Sequence, residues 1–159
     1  MRLKSTLGIT GSLFACLTIG IASAPEAAAL DYETDHAVYT TVNPDYTADG
    51  WWFQGAGSNG YGGGISAFNS NGDNWWVLDD LVDGKSVAVK WKNWRNGGLY
   101  RQGVCINSHS APSWAVCNKN FYEDSTLTAE TCLYDGDTGK YSDCDEFGWE
   151  FRVSDGKTV

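Results

Sequence analysis

Helical signal is almost absent from this chain. No eleven-residue window carries a clean 3.6-residue apolar period, which argues against helical and α/β folds. Residues 30–84 contain no Lys or Arg but nine Asp and Glu. The chain has only two histidines, His36 and His109, a poor basis for zinc, which needs three or four placed ligands. No cysteine pair has C-x-x-C spacing, which removes the commonest redox and metal signature. The glycine-rich stretch Gly55–Gly64 has no Gly-Lys-Ser/Thr ending and no helix pattern behind it, so it is not a phosphate loop. No nucleophile elbow is present either.

The N-terminus reads as a secretory signal peptide over residues 1–29. Arg2 and Lys4 precede an uncharged apolar run, Leu7 to Ile21, and Ala27-Ala28-Ala29 is a small-x-small cleavage site. Ala22-Ser23-Ala24 is the alternative site. The run is too short and too broken by glycine for a transmembrane helix of about 20 residues. It also continues past Cys16, unlike a lipid-anchored cysteine, and no later stretch approaches a membrane span. Residues 30–159 then form a single domain of about 130 residues, enough for one core. That domain holds nine Lys and Arg against nineteen Asp and Glu, a net charge of −10. Such a surface repels nucleic acid and anionic membranes. A secreted, extracellular monomer is expected, with a protein or carbohydrate partner, no cofactor and no resident metal.

What is present is short-range alternation bounded by Gly, Asn, Asp and Ser, which predicts an all-β fold: an antiparallel β-sandwich of about nine or ten short strands. Asp31–Asp35 reads as an acidic lead-in, and His36–Val42 as the first strand. Asn71-Gly72 and Asn96-Gly97 are hairpin turns. Ser86–Lys92 is the cleanest strand, with Val87, Val89 and Trp91 on one face and Ala88, Lys90 and Lys92 on the other. Phe147–Val153 reads as the last strand, with Phe147, Trp149, Phe151 and Val153 on one face.

Four cysteines remain after signal removal, and Cys105/Cys117 and Cys132/Cys144 are each twelve residues apart across turn-rich sequence. Four cysteines allow three connectivities. Nearest neighbours are favoured, because residues equidistant from a hairpin turn face each other at disulfide distance. Two hairpin disulfides are expected, with Ser113–Asn118 pairing back on Leu99–Ile106.

Gly72-Asp73, Leu78-Asp79-Asp80, Asp83-Gly84-Lys85-Ser86-Val87 and Cys105 through Cys117-Asn118 together resemble a group of small secreted actinobacterial proteins. Those carry a signal peptide, an Asp-Gly-x-Ser strand start and two short-range disulfides. The resemblance spans roughly residues 72–144 and implies a β-sandwich and an extracellular location. It carries no catalytic residue.

Eight tryptophans are the main functional clue. Trp51-Trp52 and Trp75-Trp76 are doublets on predicted strands, and strand neighbours point to opposite faces, so one ring of each pair should lie outside the core. Trp51, Trp52, Trp75 and Trp76, with Tyr61 of the glycine loop, are the expected binding residues of a non-catalytic binding protein. A carbohydrate-binding module is the alternative. A protease inhibitor presenting the Cys105–Cys117 loop is a further one. Catalytic roles for His109 or Glu150 are not expected: Ser108 and Ser110 point away from His109 in an extended segment, and alternation turns Glu150 to solvent. Asp135–Gly139 starts like a calcium loop but has Lys140 at the sixth position, where glycine is required. Asp79, Asp80 and Asp83 crowd one turn, and a cation would relieve their repulsion.

Overall fold

The computed structural model describes residues 30–45, 50–56, 63–145 and 148–159, with backbone alone for 51–56; the expected signal peptide lies outside the described residues. These residues form strands and no helix. In chain order the strands are β1 (Tyr32–His36), β2 (Val38–Thr40), β3 (Trp51–Ala56), β4 (Gly64–Asn69), β5 (Asn74–Asp79), β6 (Ser86–Arg95), β7 (Gly98–Asn107), β8 (Ser113–Asn118), β9 (Thr126–Asp135), β10 (Lys140–Ser142) and β11 (Phe151–Arg152). One sheet has the order β1-β7-β6-β9-β10, with β11 also on β9; the other has the order β2-β8-β5-β4-β3. The expected all-β sandwich is what forms.

Period-two alternation builds the interior. Phe68, Trp75, Val77 and Ala115 of the second sheet meet Val87, Val89, Trp91, Leu127 and Phe151 of the first, all buried. Ring pairs lock the layer: Phe68 lies 5.0 Å from Trp75 and 5.5 Å from Phe151, and Trp91 lies 5.2 Å from Phe121. Tilted and edge-on contacts at these distances add to the burial of the rings. The expected turns are in place. Asn96 and Gly97 both have positive φ, 52° and 75°, the signature of a two-residue hairpin whose twist matches its strands.

The N-terminal segment differs from expectation. Asp31–Asp35 is not a lead-in, because Tyr32–His36 is a strand and pairs parallel to β7, the one parallel ladder among the described residues. Its acids are neutralised from afar. Arg101 grips Glu33 through Nε and Nη2 at 2.8 and 3.0 Å, and Lys119 donates to both Glu33 and Asp35. A β-carbon on Gly103 would lie 2.5 Å from the Glu33 carbonyl oxygen, so the close approach of β1 requires glycine there. The expected strand His36–Val42 is divided at Ala37, beyond which β2 joins the other sheet.

Both expected disulfides are present, and their positions in the fold differ. Cys132–Cys144 closes the β9–β10 hairpin, as foreseen. Cys105–Cys117 joins β7 of one sheet to β8 of the other. Ser113–Asn118 therefore does not pair back on Leu99–Ile106. The far edge of β7 is already taken by β1, so the chain arches across the sandwich and β8 pairs with β5 and β2. Phe151 and Val153 are buried as expected, but Trp149 is 82% exposed, because the segment before β11 is not strand and its alternation lapses; Phe147 lies outside the described residues.

Candidate functional site

The tryptophan doublets do not converge on one site. Trp75 is completely buried, opposite Phe68 and Cys117 in register, and is a packing residue. Trp76 takes the outer face of the second sheet, half-buried and edge-on to Trp114 at 6.4 Å. The expected division of a doublet between faces thus holds for this pair. Trp51 and Trp52 lie on β3 opposite Asn69 and Phe68. Their side chains, and all of Tyr61, lie outside the described residues.

The face bearing Trp76 carries no charge along two rows of its described residues. These are Val38, Val116, Trp76 and Ala67, then Thr40, Trp114, Leu78 and Ile65. The outer face of the first sheet is different. Register sets Ala88, Lys90, Lys92 and Trp94 of β6 beside Cys132, Glu130, Thr128 and Thr126 of β9. Lys90 pairs with Glu130 and lies 5.5 Å from the Tyr141 ring, which also packs against Tyr134. Tyr32, on the edge strand β1, has its pKa pushed up to about 12, mainly by burial and then by the charges of Tyr141 and Glu130.

At the Trp94 end this face opens into a cavity of about 490 Å³, lined by Trp94, Arg95, Asn96, Gly97, Asp124, Thr126, Thr128 and Glu150. Several local choices position it. Asn93 is buried, and its Nδ2 donates to Ser125 Oγ at 2.8 Å and Thr126 O at 2.9 Å, tying β6 to the turn that carries Asp124. Trp94 Nε1 donates to Thr128 Oγ1 at 3.3 Å, which fixes the indole as one wall. Register slips between Asn93 and Trp94 where β6 meets β7, leaving Tyr100 as the extra residue. A bulge of this kind re-aims a side chain. Tyr100 meets Tyr122 edge-on at 5.6 Å, and the Arg95 guanidinium sits 3.6 Å from the Tyr122 ring centre. Arg95 also donates from Nε and Nη2 to Asp124 at 2.9 and 3.1 Å, which holds that carboxyl below its ordinary range. Thr126 hydrogen-bonds Glu150 at the rim, and exposed Trp149 precedes Glu150 in the chain. This end therefore combines an indole wall, two exposed tyrosines, an arginine with its charge already paired, and amide, hydroxyl and carboxylate groups along the rim. The signal for Trp94 lay in β6 itself, where continued alternation puts it on the Lys90 and Lys92 face.

Other expectations resolve more simply. Asp135 Oδ1 accepts the N–H groups of Asp137 and Thr138 at 2.9 and 3.1 Å, so that stretch is a hairpin tip. Among the described residues, one trio of ligand-type side chains comes within metal-binding reach: Glu130, Cys132 and Cys144. The two sulfurs are bonded to each other and Glu130 is paired with Lys90, so it makes no metal centre. Asp79 and Asp80 line separate cavities, and among the described residues the acids of this turn form no group within metal-binding reach. The His109 ring packs edge-on against Tyr39, and its Nε2 lies 3.0 Å from Ala37 O, engaged in holding the crossing between sheets. The Cys105–Cys117 loop is gathered around Asn107, whose Nδ2 donates to Val77 O at 3.0 Å and Ser113 O at 2.9 Å. Among the described residues no helix is long and apolar enough to cross a membrane. Comparison with protein-family models, curated proteins and solved structures finds no match for this chain.

Proposed function

We propose that the protein is a non-catalytic binding domain working outside the cell, and that its ligand is a glycan seated at the Trp94 end of the first sheet. The observation that carries this reading is the cavity walled by Trp94 and rimmed by Asn96, Asp124, Thr126, Thr128 and Glu150. Sugar rings offer apolar C–H faces edged by hydroxyl groups. A half-exposed indole beside amide, hydroxyl and carboxylate groups meets both needs, and a few placed polar groups on an apolar wall is how small-ligand sites are generally built. The two disulfides and the acidic surface suit an oxidising, dilute medium. The test is a titration of the oxidised protein with soluble glycans, read by tryptophan fluorescence and calorimetry. Trp94→Ala should lower affinity about tenfold or more, with the fold retained. Unchanged signals across neutral and acidic glycans, or equal binding by Trp94→Ala, would remove this reading.

A protein partner is the second reading, and the uncharged outer face of the other sheet favours it. There Val38 is 72% exposed on a chain that is otherwise rich in acids. Val38→Glu and Ile65→Glu should then weaken association while Trp94→Ala does not.

A further inference from the structure

The opposite end of the sandwich carries a different cavity, of about 290 Å³, lined by Asp79, Leu81, Val82, Gly84, Lys85, Ser86, Ser108, His109, Ser110 and Ala111. Asp79 closes strand β5 and is only 3% exposed. Its Oδ1 accepts one long hydrogen bond, from Leu81 N–H at 3.4 Å, and among the described residues no donor reaches Oδ2. Neither basic side chain at this cavity reaches it. The Lys85 ammonium lies 3.4 Å from Ser142 Oγ and 3.8 Å from Asp143, and the His109 ring is held at Ala37 O. Asp80 and Asp83 add negative charge from the same turn. A buried carboxylate with no cation is costly, and such groups are ordinarily paired. The rim is apolar: Leu81 is exposed and Val82 is 88% exposed.

We propose that this cavity binds a primary ammonium group, on a lysine side chain or a free alkylamine, with the charge at Asp79 and the methylenes along Leu81 and Val82. Long amine side chains lay their stems on apolar surface while the head stays polar, which fits this rim and floor. One open carboxylate oxygen suits a compact ammonium with three donors better than a guanidinium fork, which needs two acceptors side by side. Ser108 and Ser110 line the same cavity, and their hydroxyls can take the remaining donors. Calcium asks for six to eight oxygens, and this cavity supplies a single carboxylate.

The test titrates the full oxidised protein at pH 7.5 with lysine blocked at both backbone ends, with norleucine blocked the same way, with spermidine and with calcium chloride. The blocked lysine should bind about tenfold or more tighter than the norleucine, which has the same stem without the charge. Asp79→Asn should lose that preference. It removes a buried charge, so the fold is retained. Val82→Ala, at a nearly fully exposed position, should weaken lysine binding by a smaller factor. Acidification to pH 5 should weaken it as well, since burial pushes Asp79 up to about 6. Tighter binding of blocked lysine than of spermidine points to a side chain of a protein, and the reverse order to free amines; both outcomes support an ammonium site. Equal binding of lysine and norleucine, lysine binding unaltered in Asp79→Asn, or calcium binding without lysine binding would overturn it. The glycan reading at the Trp94 end is independent of all three results.

Discussion

Trp91 and Trp94 stand three residues apart on one strand, in opposite surroundings. Trp91 lies between the sheets, 1% exposed, with Phe121 edge-on to it and Arg101 and Lys119 over its ring. Trp94 lies on the outer face, bonded to Thr128 and open to a cavity. The Trp91 ring is enclosed by Phe121 and by the Arg101 and Lys119 side chains, whose charges are paired with Glu33 and Asp35. Around Trp94 the charges are already paired, as Arg95 with Asp124, and the remaining polar groups face outward. The difference teaches that the number of tryptophans says little here. What separates packing from contact is the face each one occupies and the chemistry of the residues beside it.

The largest expected effect breaks the interior. Trp75→Ala or Trp91→Ala should cost about 3–5 kcal/mol, transfer and cavity terms together. That is a large part of the roughly 5–15 kcal/mol that holds a domain of this kind. Denaturant titration should find both variants with midpoints far below the wild type's, while Trp94→Ala loses only about 1 kcal/mol. Equal losses at all three positions would erase the distinction between the two regions.

The disulfides sharpen it next. Both close loops with a separation of 12, so the chain-entropy contribution is the same, about 3 kcal/mol in a model-dependent account. Their surroundings differ. Cys105 and Cys117 are buried and tie the two sheets together, whereas Cys144 lies half-exposed on the outer side of a hairpin. Replacing Cys105 and Cys117 by Ser adds the desolvation of two hydroxyls, about 1–3 kcal/mol each where they find no partner. The Cys105/Cys117 double variant should therefore melt well below the Cys132/Cys144 one.

Local signals made most of the fold legible. Alternation marked β6, Asn-Gly pairs marked turns, and equal spacing marked the two sulfur bridges. The parts that were not legible depend on distant partners. Glu33 and Asp35 sit in a strand that Asp and Glu disfavour, and they are tolerated because Arg101 and Lys119 come back to them from more than sixty residues away. The departure of β8 to the second sheet is fixed by β1 occupying the edge of β7, a fact no local pattern encodes. The site follows the same rule. Trp94 was readable from the alternation of β6. Its companions Asp124 and Glu150 come from a turn and from the segment before β11, and only the closed sandwich brings them together.

A smaller effect comes from the acidic end. The Asp79 carboxyl rises from 3.8 to about 6 because burial disfavours its charge, an effect that Asp83 and Asp80 increase. The folded state thus binds an extra proton between pH 4 and 6, relative to the unfolded chain. Its stability should fall as pH rises through that window and level off above it, by about 1–3 kcal/mol. Asp73 and Asp145 are raised by burial too and add the same sign, so the wild-type slope is a sum. Glu33, Asp124, Asp135 and Asp155 are held low by their partners; their contributions have the opposite sign and are lost progressively as pH falls below about 5. Urea titrations at pH 4.5 and 7 should show Asp79→Asn with a shallower slope than the wild type and greater stability at pH 7. An identical slope would mean that Asp79 is solvated after all.

The smallest effect tests the comparison without disturbing the fold. Iodide reaches rings at the surface and not those between the sheets. Trp149, at 82% exposure, should be the most quenchable of the described indoles; Trp94 should quench partly, and Trp75 and Trp91 hardly at all. Trp149→Phe should remove much of the accessible fraction and leave stability within about 0.5 kcal/mol, as surface substitutions do. Quenching of Trp94 should then decline when a glycan occupies the cavity, because the ring is a wall of that cavity. If quenching stays constant while calorimetry reports binding, the glycan sits elsewhere, and the contrast between Trp91 and Trp94 concerns packing alone.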